Sequence, residues 1–179
     1  MKRLNKKVIF LLVSVVFFVV IGSIMMFSDF TKTTDANGNA VQTMDGRYRY
    51  EHEVVYETFD KLGEEGREAY LKMHILDYFF LVSYAMLMVA VTMFFVPENK
   101  KWIAVVFPAI PAFFDFLENT LIEVLSAKYP MVSTFGAKVT AVLTTVKWTT
   151  GVLWFVVLLT LIGIFVAKKF SAKNKQKQA

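Results

Sequence analysis

Four ionisable side chains stand inside stretches that are otherwise apolar. Asp115 and Glu118 lie in FPAIPAFFDFLENTLIE (107–123), Asp77 in the apolar run that follows the polar loop, and Lys147 in the last apolar run. At about 100° per residue, Pro108, Pro111, Asp115, Glu118 and Asn119 share one helix face. Arg67, Tyr70, His74, Asp77 and Tyr84 share a second face, and Gly136, Thr140, Thr144, Lys147, Gly151 and Trp154 a third. Hydrocarbon offers no hydrogen bonds to a carboxylate, and an unpaired charge there costs at least about 3 kcal/mol. These faces are therefore expected to turn inward, toward one another or toward a wet cavity.

Depth supports a common site. At about 1.5 Å per residue from the ends of their runs, Asp115 and Glu118 lie roughly 20 and 24 Å up, and Asp77 and Lys147 near 30 Å. The expected cluster is Asp77, Asp115, Glu118 and Lys147, capped by Arg67 and His74, with Asn119, Tyr70 and Tyr84 as further binding groups. Three acids against one lysine point to a binding or proton site. The plainer alternative is a polar network that fixes helix register. Pro108 and Pro111 each remove a backbone donor. They mark either a simple kink or the broken helix of a transport site.

Other chemistries find little support. The chain has no cysteine, which removes thiolate catalysis, thiol-redox relays and zinc–thiolate sites. His74 is the one histidine near the acids, with no HExxH or ExxH spacing, so neither a metal nor another cofactor is expected. No GxSxG elbow occurs. No catalytic residue can be assigned.

The elements that must position these residues follow from the distribution of apolar side chains. Of 179 residues, 56% are hydrophobic, and the mean hydropathy is +0.49. The apolar residues gather into runs of membrane-spanning length. A basic flank, 1–7, precedes a first span at 8–27, read as an uncleaved span because no A-x-A site follows. An external loop occupies 28–70. It carries turn dipeptides at Asn37-Gly38 and Asp45-Gly46, an edge-strand pattern at Arg47-Tyr48-Arg49-Tyr50, and a short amphipathic helix over 54–62. Gly63 is placed to end that helix. The second span covers 71–96, a tight turn 97–101, the third span 102–125, a short external turn 126–132, and the fourth span 133–167. Residues 168–179 form a basic tail, and its last part, SAKNKQKQA after Phe170, is expected to be disordered. Trp102, Tyr129 and Trp148 read as interfacial anchors.

Lysines and arginines of the first flank, the 97–101 turn and the tail fall on one side of four spans. Residues 28–72 hold ten acids against six bases. The positive-inside rule then puts both termini in the cytoplasm and the loop outside. Topology accounts for the pI near 9.3, so nucleic acid is not an expected partner.

The pattern Leu62-Gly63, Gly66-Arg67, Tyr70, Asp77 and Tyr84, followed by Asp115-Phe116-Leu117-Glu118-Asn119, resembles a family of uncharacterised small four-span bacterial inner-membrane proteins. The resemblance covers the chain from about Tyr56 onward. It implies a bacterial inner-membrane location and no particular activity.

The expected fold is all-α: a polytopic membrane protein, a bundle of four transmembrane helices with one external loop carrying a short amphipathic helix. Three functional classes stay open. The first is binding or transport of a small polar or proton-linked solute, or of a lipid headgroup, in an outward-facing polar cluster. The second is an accessory subunit of another membrane protein. The third is an intramembrane enzyme acting on a lipid-linked substrate, with Asp115 or Glu118 as general base and Lys147 or Arg67 holding a phosphate.

Overall fold

The computed structural model describes residues 5–28 and 32–178, with side chains up to Ser171. Lys2, Arg3 and Asp29, and the side chains of the tail lysines beyond Ser171, lie outside the described residues. Four long helices make up the fold: α1 (Lys6–Phe27), α2 (Glu53–Phe95), α3 (Lys101–Lys128) and α4 (Thr134–Gln178). Each contains a stretch long and apolar enough to cross a membrane.

The helices begin and end for local reasons. Asn5 caps α1 by accepting from the Lys7 amide at 3.0 Å, which satisfies one of the orphan donors at a helix start. Pro97 follows the end of α2, and a 3₁₀ turn (Glu98–Lys100) leads into α3. Pro108 and Pro111 are buried inside α3, which nevertheless runs unbroken. Their missing donors free the carbonyls of Ala104 and Phe107 one turn earlier, without the interruption a transport-type break requires.

Gly63 sits inside α2 at φ 64°, ψ −168°. That left-handed backbone is open to glycine at little cost. The chain leaves the segment beginning at Glu53 there and resumes as a helix directly afterwards. The segment before Gly63 is amphipathic as expected: Val55, Phe59 and Leu62 are buried, and the Tyr56 and Phe59 rings meet edge to face at 5.9 Å.

The bundle is a packed trio, α2, α3 and α4, with α1 laid against α2. Phe18 of α1 meets Phe80 at 5.4 Å. Lys7 reaches the Met93 carbonyl at 3.2 Å and Glu98 at 2.8 Å. Tyr78 packs on Phe116, and Phe95 on Phe165. The start of α1, the 97–101 turn and the late part of α4 thus share one end of the bundle, hereafter the turn end. In α1 only Ser14 is buried, its hydroxyl returned to the Phe10 carbonyl at 2.8 Å. The rest of that helix presents apolar side chains outward, which suits contact with lipid.

At the opposite, loop end, residues 32–52 fold down onto the bundle. Asp35 organises a tight turn: it accepts from the Asn37 and Asn39 amides and from the Asn39 side chain. Those donors, the Asn39 side chain foremost, hold its carboxyl below the usual range. Thr34 and Ala40 pair as an isolated antiparallel bridge. The edge strand expected at 47–50 does not form; among the described residues there is no strand. Tyr50 instead turns inward, with Met44, into a core shared by Val55, Phe59, Leu62, Tyr70, Ile122, Leu125 and Ala137.

The tail also departs from expectation. Instead of disorder after Phe170, α4 continues to Gln178. The stretch SAKNKQKQ has neither proline nor glycine, and its alanine, lysines and glutamines are good helix formers. An existing helix is extended at low cost, since nucleation is already accomplished.

Candidate functional site

The site is assembled from three helices and the loop. Lys147 of α4 is the only buried lysine among the described residues, and two acids of α3 hold it. Its Nζ lies 3.0 Å from Asp115 Oδ1 and 2.5 Å from Glu118 Oε2. The spacing works because Asp115 and Glu118, three apart, sit one above the other on α3. The remaining carboxylate oxygens are also met. Tyr84 donates to Asp115 Oδ2 at 2.8 Å and Thr144 to Glu118 Oε1 at 2.5 Å. Thr144 in turn meets the Tyr50 hydroxyl at 2.9 Å. Burial pushes the Tyr50 phenol up, only partly offset by the Thr144 contact, so it stays a neutral hydrogen-bonding group.

Asp77 of α2 is tied to α3 by the Asn119 side-chain amide. Donating through Nδ2 leaves Asn119 Oδ1 buried without a partner. Above these groups Tyr70 donates to Asp45 Oδ2 at 2.7 Å, which fixes the loop over the cluster. His74 is fully buried between two acids. Its Nε2 is 3.9 Å from Asp45 Oδ1 and its Nδ1 3.7 Å from Glu123 Oε1, so neither nitrogen has a hydrogen bond of normal length.

A cavity of about 480 Å³ opens beside this network. Asp45, Asp77, Asp115 and Lys147 form its polar end. Toward the turn end its walls are apolar: Phe80 and Met88 from α2, Pro111 from α3, Val152 and Phe155 from α4. Tyr84 and Gly151 complete the lining, and Trp148 stands at the polar end with Lys147 Nζ 5.9 Å from its ring. Below, Trp154 donates to Thr92 at 3.2 Å and ties α4 back to α2.

Of the residues singled out from sequence, Asp77, Tyr84, Asp115 and Lys147 line this one cavity, and Glu118 and Asn119 stand directly behind them. Tyr70 and His74 join through Asp45. Arg67 does not join. Its guanidinium donates to the Phe59 carbonyl at 3.2 Å and covers the Tyr129 ring at 4.4 Å. The break at Gly63 bends the preceding segment back within its reach, and a carbonyl plus an aromatic face satisfy the cation there. Two expected anchors also have other roles: Tyr129 donates to Asp60 and stacks on Tyr56, while Trp148 is a cavity wall.

Asp45, Tyr50 and Glu123 were not among the sequence candidates. Asp45 reads in sequence as half of an Asp-Gly turn. Loop residues have no helical phase from which a facing partner can be extrapolated. Glu123 lay one turn beyond Asn119 on the same face, at i+4, and that spacing was a usable signal.

No metal-ligand cluster forms here; among the described residues the one grouping of that kind is Glu51, His52 and Glu53, in and next to the first turn of α2. No protein family, no curated protein and no solved structure matches the chain.

Proposed function

We propose that this chain is a multi-pass protein of the bacterial inner membrane, with both termini in the cytoplasm, that binds a small polar solute or a lipid headgroup in an outward-facing intramembrane polar cluster. The observation that carries this reading is the cavity itself. A volume of about 480 Å³ falls in the range of ligand sites, roughly 300–1,000 Å³. A network serving only to fix register would be expected to pack closed.

The bundle's polarity supports the orientation. Basic residues Lys6, Lys7, Lys100, Lys101 and Lys168 belong to the turn end, and the acidic loop to the other. The enzyme alternative is weakened by the positions of its cations. Arg67 faces Tyr129, and Lys147 is bridged by two carboxylates, so neither is free for a phosphate. The double pairing of Lys147 with Asp115 and Glu118 supports a second role for part of the cluster, that of holding α3 against α4.

The test is native mass spectrometry of the full chain released from its own membranes. A stoichiometric adduct is expected on the wild type and not on Val152→Trp, which fills the cavity from its lipid-facing wall. A wild-type chain that carries no adduct, or an adduct indifferent to the filled cavity, overturns the reading.

A further inference from the structure

The hydrogen-bond inventory of the cavity is one-sided. Most neutral donors at its polar end are already committed: Tyr70 to Asp45, Tyr84 to Asp115, Asn119 to Asp77, and Thr144 to Glu118; the Trp148 indole N–H and the His74 ring, 3.9 Å from Asp45 Oδ1, are the exceptions. The single cation, Lys147, is held between Asp115 and Glu118. The larger unmet capacity is for accepting. Asp77 Oδ1 has no hydrogen-bond donor among the described residues, and Asp45 Oδ1 and Asn119 Oδ1 are buried without one. Charge runs the same way, with Asp45, Asp77, Asp115 and Glu118 against Lys147. An anionic headgroup would meet four carboxyl groups, with only the Trp148 indole and the third N–H of Lys147 as donors to set against them. A ligand that fits must bring N–H donors and positive charge.

The rest of the cavity specifies what carries that charge. From Asp77 to Met88 the lining descends along α2 by eleven residues, roughly 16 Å at 1.5 Å per residue. Below Tyr84 no charged residue contributes to it. The α4 wall is open sideways: Trp148, Val152 and Phe155 are 43%, 57% and 52% exposed, while being part of the lining. A ligand would enter between α2 and α4 from the bilayer.

We propose that the occupant is an amphiphile with an ammonium headgroup and a single apolar chain, the headgroup set against Asp77 and Asp45 and the chain lying along Phe80, Met88, Val152 and Phe155. This rests on the binding role proposed above and narrows it to one headgroup chemistry. The pairing of charge with N–H donors matters because a charge-assisted hydrogen bond is roughly twice as strong as a neutral one. The apolar chain contributes about 0.8 kcal/mol for each CH₂ removed from water. For a chain already in the bilayer that gain is absent, so selectivity falls to the headgroup.

The experiment uses the full chain in phosphatidylcholine nanodiscs, read by tryptophan emission, with W148F and empty nanodiscs as controls. The probes are dodecylamine, dodecyltrimethylammonium, dodecanol, dodecyl phosphate and soluble ethanolamine. Dodecylamine is expected to give a saturable change that W148F abolishes. Dodecyltrimethylammonium, charged but without N–H, should bind about tenfold more weakly, and dodecanol and dodecyl phosphate should not saturate. Asp77→Asn should weaken dodecylamine about tenfold or more; Val152→Trp, changed on the lipid side and outside the polar network, should abolish it. Saturable binding of dodecyl phosphate or dodecanol in preference to dodecylamine overturns the headgroup assignment and leaves a binding cavity standing. Ethanolamine binding as tightly as dodecylamine overturns the apolar-chain part. No saturable probe, or a dodecylamine signal that persists in W148F and Val152→Trp, overturns both this assignment and the binding role beneath it.

Discussion

Lys147 Nζ lies 2.5 Å from Glu118 Oε2, in a place where the glutamate is fully buried and the lysine nearly so. The pair joins α4 to α3 midway along the bundle. Asp115, 3.0 Å away on the same helix, makes the lysine the hub of a three-charge group. Such a group stabilises little by comparison with apolar packing, but removing one partner exposes the desolvation cost of the others.

Lys147→Met is therefore expected to destabilise the protein by about 3–5 kcal/mol, because two buried carboxylates lose their counter-charge. Adding Glu118→Gln should recover part of the loss. The check is a double-mutant cycle of thermal or denaturant unfolding in detergent. Additive effects, with no coupling between the two substitutions, would remove the pair from this account.

Neutralising single acids separates site from scaffold. In Asp115→Asn, Glu118 still neutralises Lys147, and an amide can still accept from Tyr84. In Glu118→Gln, Asp115 remains. Each variant should keep its folded population, with a change within about 1 kcal/mol in view of the charge excess relieved. Binding in the cavity should nevertheless fall. Unfolding of both variants with the loss of Lys147's partner would assign the acids to scaffold alone.

Gly66 gives a prediction free of electrostatics. A Cβ there would stand 2.8 Å from the Thr34 carbonyl oxygen and 3.1 Å from Leu62 Cβ. The obstacle is backbone and cannot swing aside. Gly66→Ala should destabilise by about 1–3 kcal/mol, an overpacking cost, and should release the loop before the bundle. Proteolysis within the loop would report this; a variant cleaved no faster than wild type would show that the loop does not rest on α2 there.

Membrane orientation can be read directly because the chain has no cysteine. Single cysteines at Asn39, in the exposed loop turn, and at Ser171, exposed on α4, should respond oppositely to an impermeant thiol reagent on intact cells. Asn39→Cys should label and Ser171→Cys should label only after permeabilisation. The reverse pattern would invert the topology argued from the basic residues.

Legibility in the sequence followed the length scale of the physics. The four helices could be read because apolar runs and helical period act over a few neighbouring residues. The convergence of Asp115, Glu118 and Lys147 could be read because rise per residue converts position into depth. Arg67 could not: it shares the stripe of Tyr70 and His74, and a bend at one glycine is enough to send it to Tyr129 instead. Asp45 could not either, because its place over the cavity depends on the path of an irregular loop and on a phenol 25 residues away. The tail was misjudged by composition; charge argued for disorder, while helix propagation from α4 decided otherwise.

The core beneath the loop has a consequence for how the molecule is made. Met44, Tyr50, Val55, Phe59, Leu62 and Tyr70 emerge from the ribosome early, whereas Ile122, Leu125 and Ala137, which complete the same core, come from the end of α3 and the start of α4. At ~5–20 residues per second, synthesis of the intervening chain takes on the order of several seconds. For that interval the core beneath the loop has only half its packing partners, and its apolar side chains stand uncovered. The polar cavity thus acquires its lid last, when α4 arrives, and a chain released before that point carries both halves of the acid cluster with neither the lysine that neutralises it nor the cover that shields it.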